Sequence, residues 1–165
     1  MKVVIFDLDG TLADGSGRLH LLPTKDLHLT DSWTEFNKAC VWDRPIWDTI
    51  DVCNSLEESG MWVIVLTGRS DIVRVETEAW LKENNVNYNE LIMRPHDDNR
   101  KDTVIKEEVI NQIRSEGHQI VAAWDDSPNV VSHFRSLGIT TYQVCDYGDT
   151  MQRTDLHSHG VEMLK

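Results

Sequence analysis

Residues 3–6, Val-Val-Ile-Phe, run without a polar interruption into Asp7, Leu8, Asp9, Gly10, Thr11 and Leu12. β-branched and aromatic side chains that do not alternate with polar ones suit a strand buried on both faces, as in a parallel sheet covered by helices. The two carboxylates then emerge at the carboxyl end of that strand, where open parallel sheets gather their ligands. An acidic turn alone is common, so its meaning depends on partners elsewhere in the chain. A calcium loop of the EF-hand type is excluded by spacing: counted from Asp7, the sixth and twelfth positions are Leu12 and Arg18, where glycine and glutamate are needed.

Apolar runs and amphipathic stretches alternate along the rest of the chain. Strands are expected at Lys2 to Phe6, Met61 to Leu66, Glu90 to Met93, Ile120 to Trp124 and Thr140 to Val144. Helices are expected at Ile46 to Ser59, Asp71 to Asn85, Lys101 to Ser115 and Pro128 to Leu137. In the third helix Val104, Ile105, Val109, Ile110 and Ile113 recur near a 3.6-residue period. Ser127 followed by Pro128 reads as a cap with proline in the first turn, and Gly117 and Gly138 mark helix ends. The alternation implies an α/β, Rossmann-like three-layer sandwich with a parallel sheet and right-handed crossovers.

Residues 14–44 interrupt this alternation. They open on Gly15, Ser16 and Gly17 and carry Trp33, Phe36 and Trp42, with Trp47 just beyond, too aromatic for a disordered linker. A small cap inserted in the main domain is expected, its aromatics packed inward; stacking on a base is the alternative. Residues 1–165 read as one domain, with 147–165 a loosely packed extension of weak periodicity.

At 165 residues and 40% hydrophobic composition, one core of useful size is available. Cys40, Cys53 and Cys145 are odd in number and lack a Cys-x-x-Cys pair, which suits reduced thiols and a cytoplasmic setting. No basic apolar leader precedes the first strand and no run is long enough to span a membrane, so a soluble protein is expected. A net charge of −12 repels polyanions at long range and argues against an extended duplex-binding face.

Further strand and helix ends supply the missing partners. Thr67, Gly68 and Arg69 follow the second strand and offer a hydroxyl, an amide and a guanidinium to an anion. Asp102 and Lys106 lie four apart on one helical face, where an ion pair would aim the lysine. Asp125 and Asp126 end the fourth strand, a second acidic pair beside the first if the strand order is 3-2-1-4-5.

The spacing of Asp7, Asp9, Thr67, Lys106, Asp125 and Asp126 resembles the haloacid-dehalogenase superfamily of phosphatases, over nearly the whole chain. The string from Arg94 to Lys106, including Arg100, Lys101 and Asp102, is similar to the 3′-phosphatase half of bacteriophage polynucleotide kinase, as is Asp125 to Val131. Arg18 and Arg69 stand where that family places two arginines serving the phosphate site. No Gly-x-x-x-x-Gly-Lys-Ser loop accompanies them, so no kinase activity is expected from these residues.

The resemblance implies a Mg2+-dependent phosphomonoesterase. Asp7, the backbone carbonyl of Asp9 and the side chain of Asp126 would hold the metal, with Asp125 an alternative or supporting ligand. Asp7 would be the nucleophile and Asp9 the general acid and then base, while Thr67, Lys106, Gly68 and the arginines stabilise phosphoryl oxygens. Three functions compete: a 3′-phosphatase of DNA or RNA ends, a phosphatase of nucleoside monophosphates or other small esters, and a non-catalytic phosphate-binding protein. The last usually lacks one of the first two acids. His96, His157 and His159 are expected to be solvated rather than ligands.

Overall fold

The computed structural model describes residues 1–145. A five-stranded parallel sheet is formed by β1 (Lys2–Phe6), β4 (Trp62–Ser70), β5 (Glu90–Arg94), β6 (Gln119–Asp125) and β7 (Thr141–Gln143), while β2 (Ala13–Asp14) and β3 (Arg44–Pro45) pair separately and antiparallel. Its order is β5-β4-β1-β6-β7. The sheet strands alone therefore lie 3-2-1-4-5; the expected order differs only in that the short β2–β3 pair enters the numbering.

β1 lies at the centre, and this explains its unbroken apolar sequence. Val4 and Phe6 enter a core with Ile50, Cys53, Val63, Val65, Trp80 and Leu81, under α2 (Trp47–Glu58) and α3 (Arg74–Glu83). Val3 and Ile5 point the other way, into a core with Ile64, Leu66, Ile110, Ile113, Val130 and Phe134, under α4 (Asp102–Ser115) and α5 (Pro128–Ser136). The period of two along a strand thus builds both layers from one four-residue run. Ser127 caps α5 by accepting the Val130 N–H, with Pro128 in the first turn as expected.

The second sheet strand is longer than its sequence suggests. β4 continues to Ser70, and its register against β5 shifts between Thr67 and Ser70. Within the shifted stretch the Gly68 carbonyl accepts the Arg94 Nε–H at 3.0 Å. Thr67, Gly68 and Arg69 therefore sit in the strand end and not in a following loop.

The segment entered through β2 and left through β3 contains helical turns at Ser16–Leu21, Thr30–Trp33 and Ala39–Trp42 and one short helix, α1 (Thr34–Lys38). Trp33 and Phe36 are buried and meet edge to face at 5.8 Å, as expected of packing aromatics. Trp42 and Trp47 instead stand 85% and 54% exposed. Thr30 binds the chain before α4: its N–H donates to Asn99 Oδ1 and its hydroxyl to the Asp98 carbonyl, both at 2.8 Å.

Cys40 and Cys53 are buried and Cys145 exposed, all as free thiols. Burial, reinforced by Glu57, pushes the Cys53 thiol up to about 12. Among the described residues no helix is long and apolar enough to cross a membrane. The expected extension at 147–165, with His157 and His159, lies outside the described residues.

Candidate active site

The carboxyl end of β1 delivers Asp7 beside the carboxyl end of β6, where the Asp7 N–H donates to the Trp124 carbonyl at 2.9 Å. The chain then turns tightly: the N–H groups of Leu12 and Ala13 return to the Leu8 carbonyl, and Gly10 takes a φ of 78° that favours a residue without Cβ. Parallel neighbours place Asp125 and Asp126 next to Asp7, and one carboxylate oxygen from each of the three lies within 4.8 Å of the others. All three are buried.

Lys106 reaches this cluster from α4. Its Nζ is 3.0 Å from Asp7 Oδ1, 2.9 Å from Asp125 Oδ2 and 3.4 Å from Asp102 Oδ2, confirming the i,i+4 pair with Asp102. Burial opposes its charge, but Asp102, Asp125 and Asp7 hold the ammonium well above its ordinary pKa. Asp7 is pushed well above the usual carboxylate range, first by burial and then by Asp125, against the pull of Lys106. Asp125 is raised by burial as well. One buried cation facing several buried carboxylates leaves a local excess of negative charge, a setting for a hard cation with oxygen ligands. Both Asp125 oxygens already serve the protein, Oδ2 at Lys106 and Oδ1 accepting the Ser127 N–H at 2.9 Å.

Lys106→Met in the metal-free protein is expected to cost about 3–5 kcal/mol of stability, because it strands buried charges without their partner. Urea unfolding measures this. A loss below 1 kcal/mol would show that the lysine is no structural counter-ion.

Asp9 occupies a different environment from Asp7, although only Leu8 separates them. Arg18 Nη2 and Arg69 Nη2 both donate to Asp9 Oδ1 at 2.6 Å, and Arg69 Nε approaches Oδ2 at 3.3 Å. Burial pushes the Asp9 carboxyl up, but the guanidiniums of Arg69 and Arg18 outweigh it and bring the pKa down to about 2. The remaining guanidinium donors are also engaged: Arg18 Nη1 with the Phe36 carbonyl at 2.9 Å, Arg18 Nε with Asp43 Oδ1 at 2.8 Å, and Arg69 Nη1 with Thr77 Oγ1 at 3.0 Å. The structure brings Arg18 and Arg69, both expected at the phosphate site, onto the Asp9 carboxylate. Their spacing could show that they shared a site, but not which group they faced.

Thr67 is buried at the end of β4 and accepts the Arg69 N–H on its Oγ1 at 3.0 Å. Gly68 is tied through its carbonyl to Arg94. The sequence reading missed Asp43, which receives both Arg18 Nε and Nη2, lies 3.5 Å from Arg69 Nη2, and joins the two arginines behind Asp9. It stands between Trp42 and Arg44 with no motif to mark it. Arg94, to which the sequence assigns no role, is fully buried and also donates to the carbonyls of Asp98 and Arg100, and so shapes the approach to α4. His96 is half-buried rather than solvated: its Nδ1 is 2.8 Å from Ser70 Oγ and its Nε2 3.3 Å from Asp31 Oδ1.

Residues 1–149 match the family model of the polynucleotide kinase PNKP phosphatase domain. A protein of Autographa californica nuclear polyhedrosis virus, named as a bifunctional polynucleotide kinase/RNA ligase, is 31% identical over 150 residues, which are 88% of this chain and 20% of that protein. A chain of the Pnkp1/Rnl/Hen1 RNA repair complex superposes with a TM-score of 0.69 at 30% identity, covering 90% of this chain and 43% of the other. This chain thus spans a fifth of the viral relative and under half of the structural one. A haloacid dehalogenase-like hydrolase from Streptococcus pneumoniae, 16% identical with a TM-score of 0.61 over 93% of this chain and 88% of its own, shares the fold. With the acids at the sheet's carboxyl edge and these matches, the chain belongs to the PNKP phosphatase-domain family of haloacid-dehalogenase-type phosphatases.

Proposed function

We propose that the chain is a Mg2+-dependent phosphomonoesterase that acts through an aspartyl-phosphate on Asp7 and removes the 3′-phosphate from polynucleotide ends. The observation that carries this reading is the contrast between two acids on one turn. Asp7 faces a lysine and an acidic cluster, while Asp9 is pinned by two arginines. The names of the relatives support the polynucleotide substrate.

Asp7, Asp126 and the Asp9 carbonyl would hold Mg2+, with Asp125 in support, and the buried oxygen donors suit that ion. When bound, it supplies the positive charge that lets a carboxylate approach a dianionic ester. An Asp7 oxygen attacks phosphorus, the bond to the ester oxygen breaks, and that oxygen takes a proton from Asp9. Water then gives a proton to Asp9 and attacks the same phosphorus, which releases phosphate and restores the Asp7 carboxylate. Lys106 and the Thr67 hydroxyl stabilise the phosphoryl oxygens. Arg18 and Arg69 keep Asp9 ionised in the free enzyme; an incoming dianion beside them raises its proton affinity, so that Asp9 takes up a proton from solvent before it donates one to the ester oxygen.

Dephosphorylation of nucleoside monophosphates is the second reading, favoured by the −12 charge. Phosphate release from a 3′-phosphorylated oligonucleotide, from 3′- and 5′-mononucleotides and from a generic ester, with Mg2+ or with chelator, separates the two. Preference for the oligonucleotide is expected, with loss of turnover in chelator. Turnover of mononucleotides alone would overturn the polynucleotide assignment, and no turnover of any ester would favour a binding protein.

A further inference from the structure

A groove of about 500 Å³ lies beside the inserted segment, lined by Arg18, His20, Leu21, Trp42, Asp43 and Arg44. Arg18 and Asp43, paired at 2.8 Å, both line it, and Arg18 also holds Asp9 at 2.6 Å. The groove is therefore one side chain away from the proposed general acid. Antiparallel pairing of β2 with β3, Asp14 opposite Arg44, anchors its rim to the turn that carries Asp9.

Two features of this groove point to a ligand. Trp42 is 85% exposed, in contrast to Trp33 and Phe36 of the same segment, which are buried. The groove also carries Arg44 on a chain of net charge −12, and its acid, Asp43, is already bonded to Arg18. Arg44 is exposed, and among the described residues it forms no ion pair. An indole face open to solvent and an available guanidinium are the two elements of a single-strand platform, one stacking a base and the other meeting a backbone phosphate.

Resting on the 3′-end reading above, we infer that this groove binds the nucleotide preceding the terminal one in a single strand, with its base on Trp42 and a backbone phosphate at Arg44. Such a site makes a polynucleotide end a better substrate than a mononucleotide without requiring a long basic surface, which reconciles the substrate with the acidity of the chain.

The test compares kcat and KM for a 3′-phosphorylated single-stranded oligonucleotide and a nucleoside 3′-monophosphate. In Trp42→Ala the wild-type preference for the oligonucleotide is expected to fall about tenfold, through KM, and to return in Trp42→Phe, which keeps a stacking face. Arg44→Gln is expected to flatten the log–log salt dependence of oligonucleotide KM by about 0.7, the share of one single-strand phosphate contact. A wild type that prefers the oligonucleotide and keeps that preference in Trp42→Ala overturns the groove assignment alone. A wild type with no such preference overturns the polynucleotide reading itself, and the groove assignment with it.

Discussion

Asp7→Asn is expected to abolish steady-state phosphate release, with a loss on the order of 10⁶-fold, the scale on which deletion of a covalent nucleophile acts. The amide nearly preserves shape, so the expected defect is chemical. Stability gives an independent check. In wild type, burial and Asp125 disfavour the Asp7 carboxylate, while Lys106 favours it. Neutralising the side chain relieves the first two effects and weakens the third, so thermal unfolding without divalent cation is expected to stay near the wild-type midpoint. With Mg2+ the two proteins diverge: an ion that binds only the folded state raises the wild-type midpoint, and the variant gains less because it lacks one of the clustered carboxylates. Retained turnover in Asp7→Asn would remove the residue from the nucleophile's role, and an equal gain from Mg2+ would remove it from the ligand set.

Asp9→Asn is expected to lower kcat for alkyl phosphoesters by about 10²–10⁴-fold, the range of a single acid–base group. The two half-reactions respond differently. A p-nitrophenolate leaving group departs without a proton, so one equivalent is released in a burst, after which the missing base slows hydrolysis of the aspartyl-phosphate. Absence of a burst would mean that Asp9 acts before phosphoryl transfer in some other way.

The same substitution alters pH dependence. With its pKa at about 2 in the folded protein, against roughly 3.9 for a free aspartate, Asp9 binds fewer protons folded than unfolded between these values. Its contribution, roughly 2–3 kcal/mol, is present above pH ~4 and disappears as pH falls toward 2. The stability gap between wild type and Asp9→Asn should therefore close over that window. A constant gap down to pH ~2 would show that the arginines do not stabilise the ionised form.

How far the chain could be read in advance varied with the physical origin of each feature. Val3 to Phe6 announced a central strand because burial on both faces excludes polar residues from every position, and this is a property of local sequence. The 3.6-residue period of α4 was equally local, and it carried Asp102 and Lys106 onto one face. The extension of β4 through Thr67 to Ser70 was not legible, because a register shift depends on the neighbouring strand. The difference between Trp33 and Trp42 was hidden for a similar reason: both are tryptophans of one inserted segment, and only the path of residues 14–44 turns one inward and leaves the other exposed.

The opening pair of acids shows the same division. Their position after a buried strand, and their company of Thr67, Lys106, Asp125 and Asp126, followed from motif order and from the rule that parallel strands deliver their carboxyl ends to one edge. The opposite electrostatic characters of Asp7 and Asp9 did not follow from that rule. They arise because Lys106, Arg18, Arg69 and Asp43 come from four separate parts of the chain and meet in a space where burial magnifies each charge. Which carboxylate an arginine faces is a property of packing; that a carboxylate stands at the end of a buried strand is a property of the sequence.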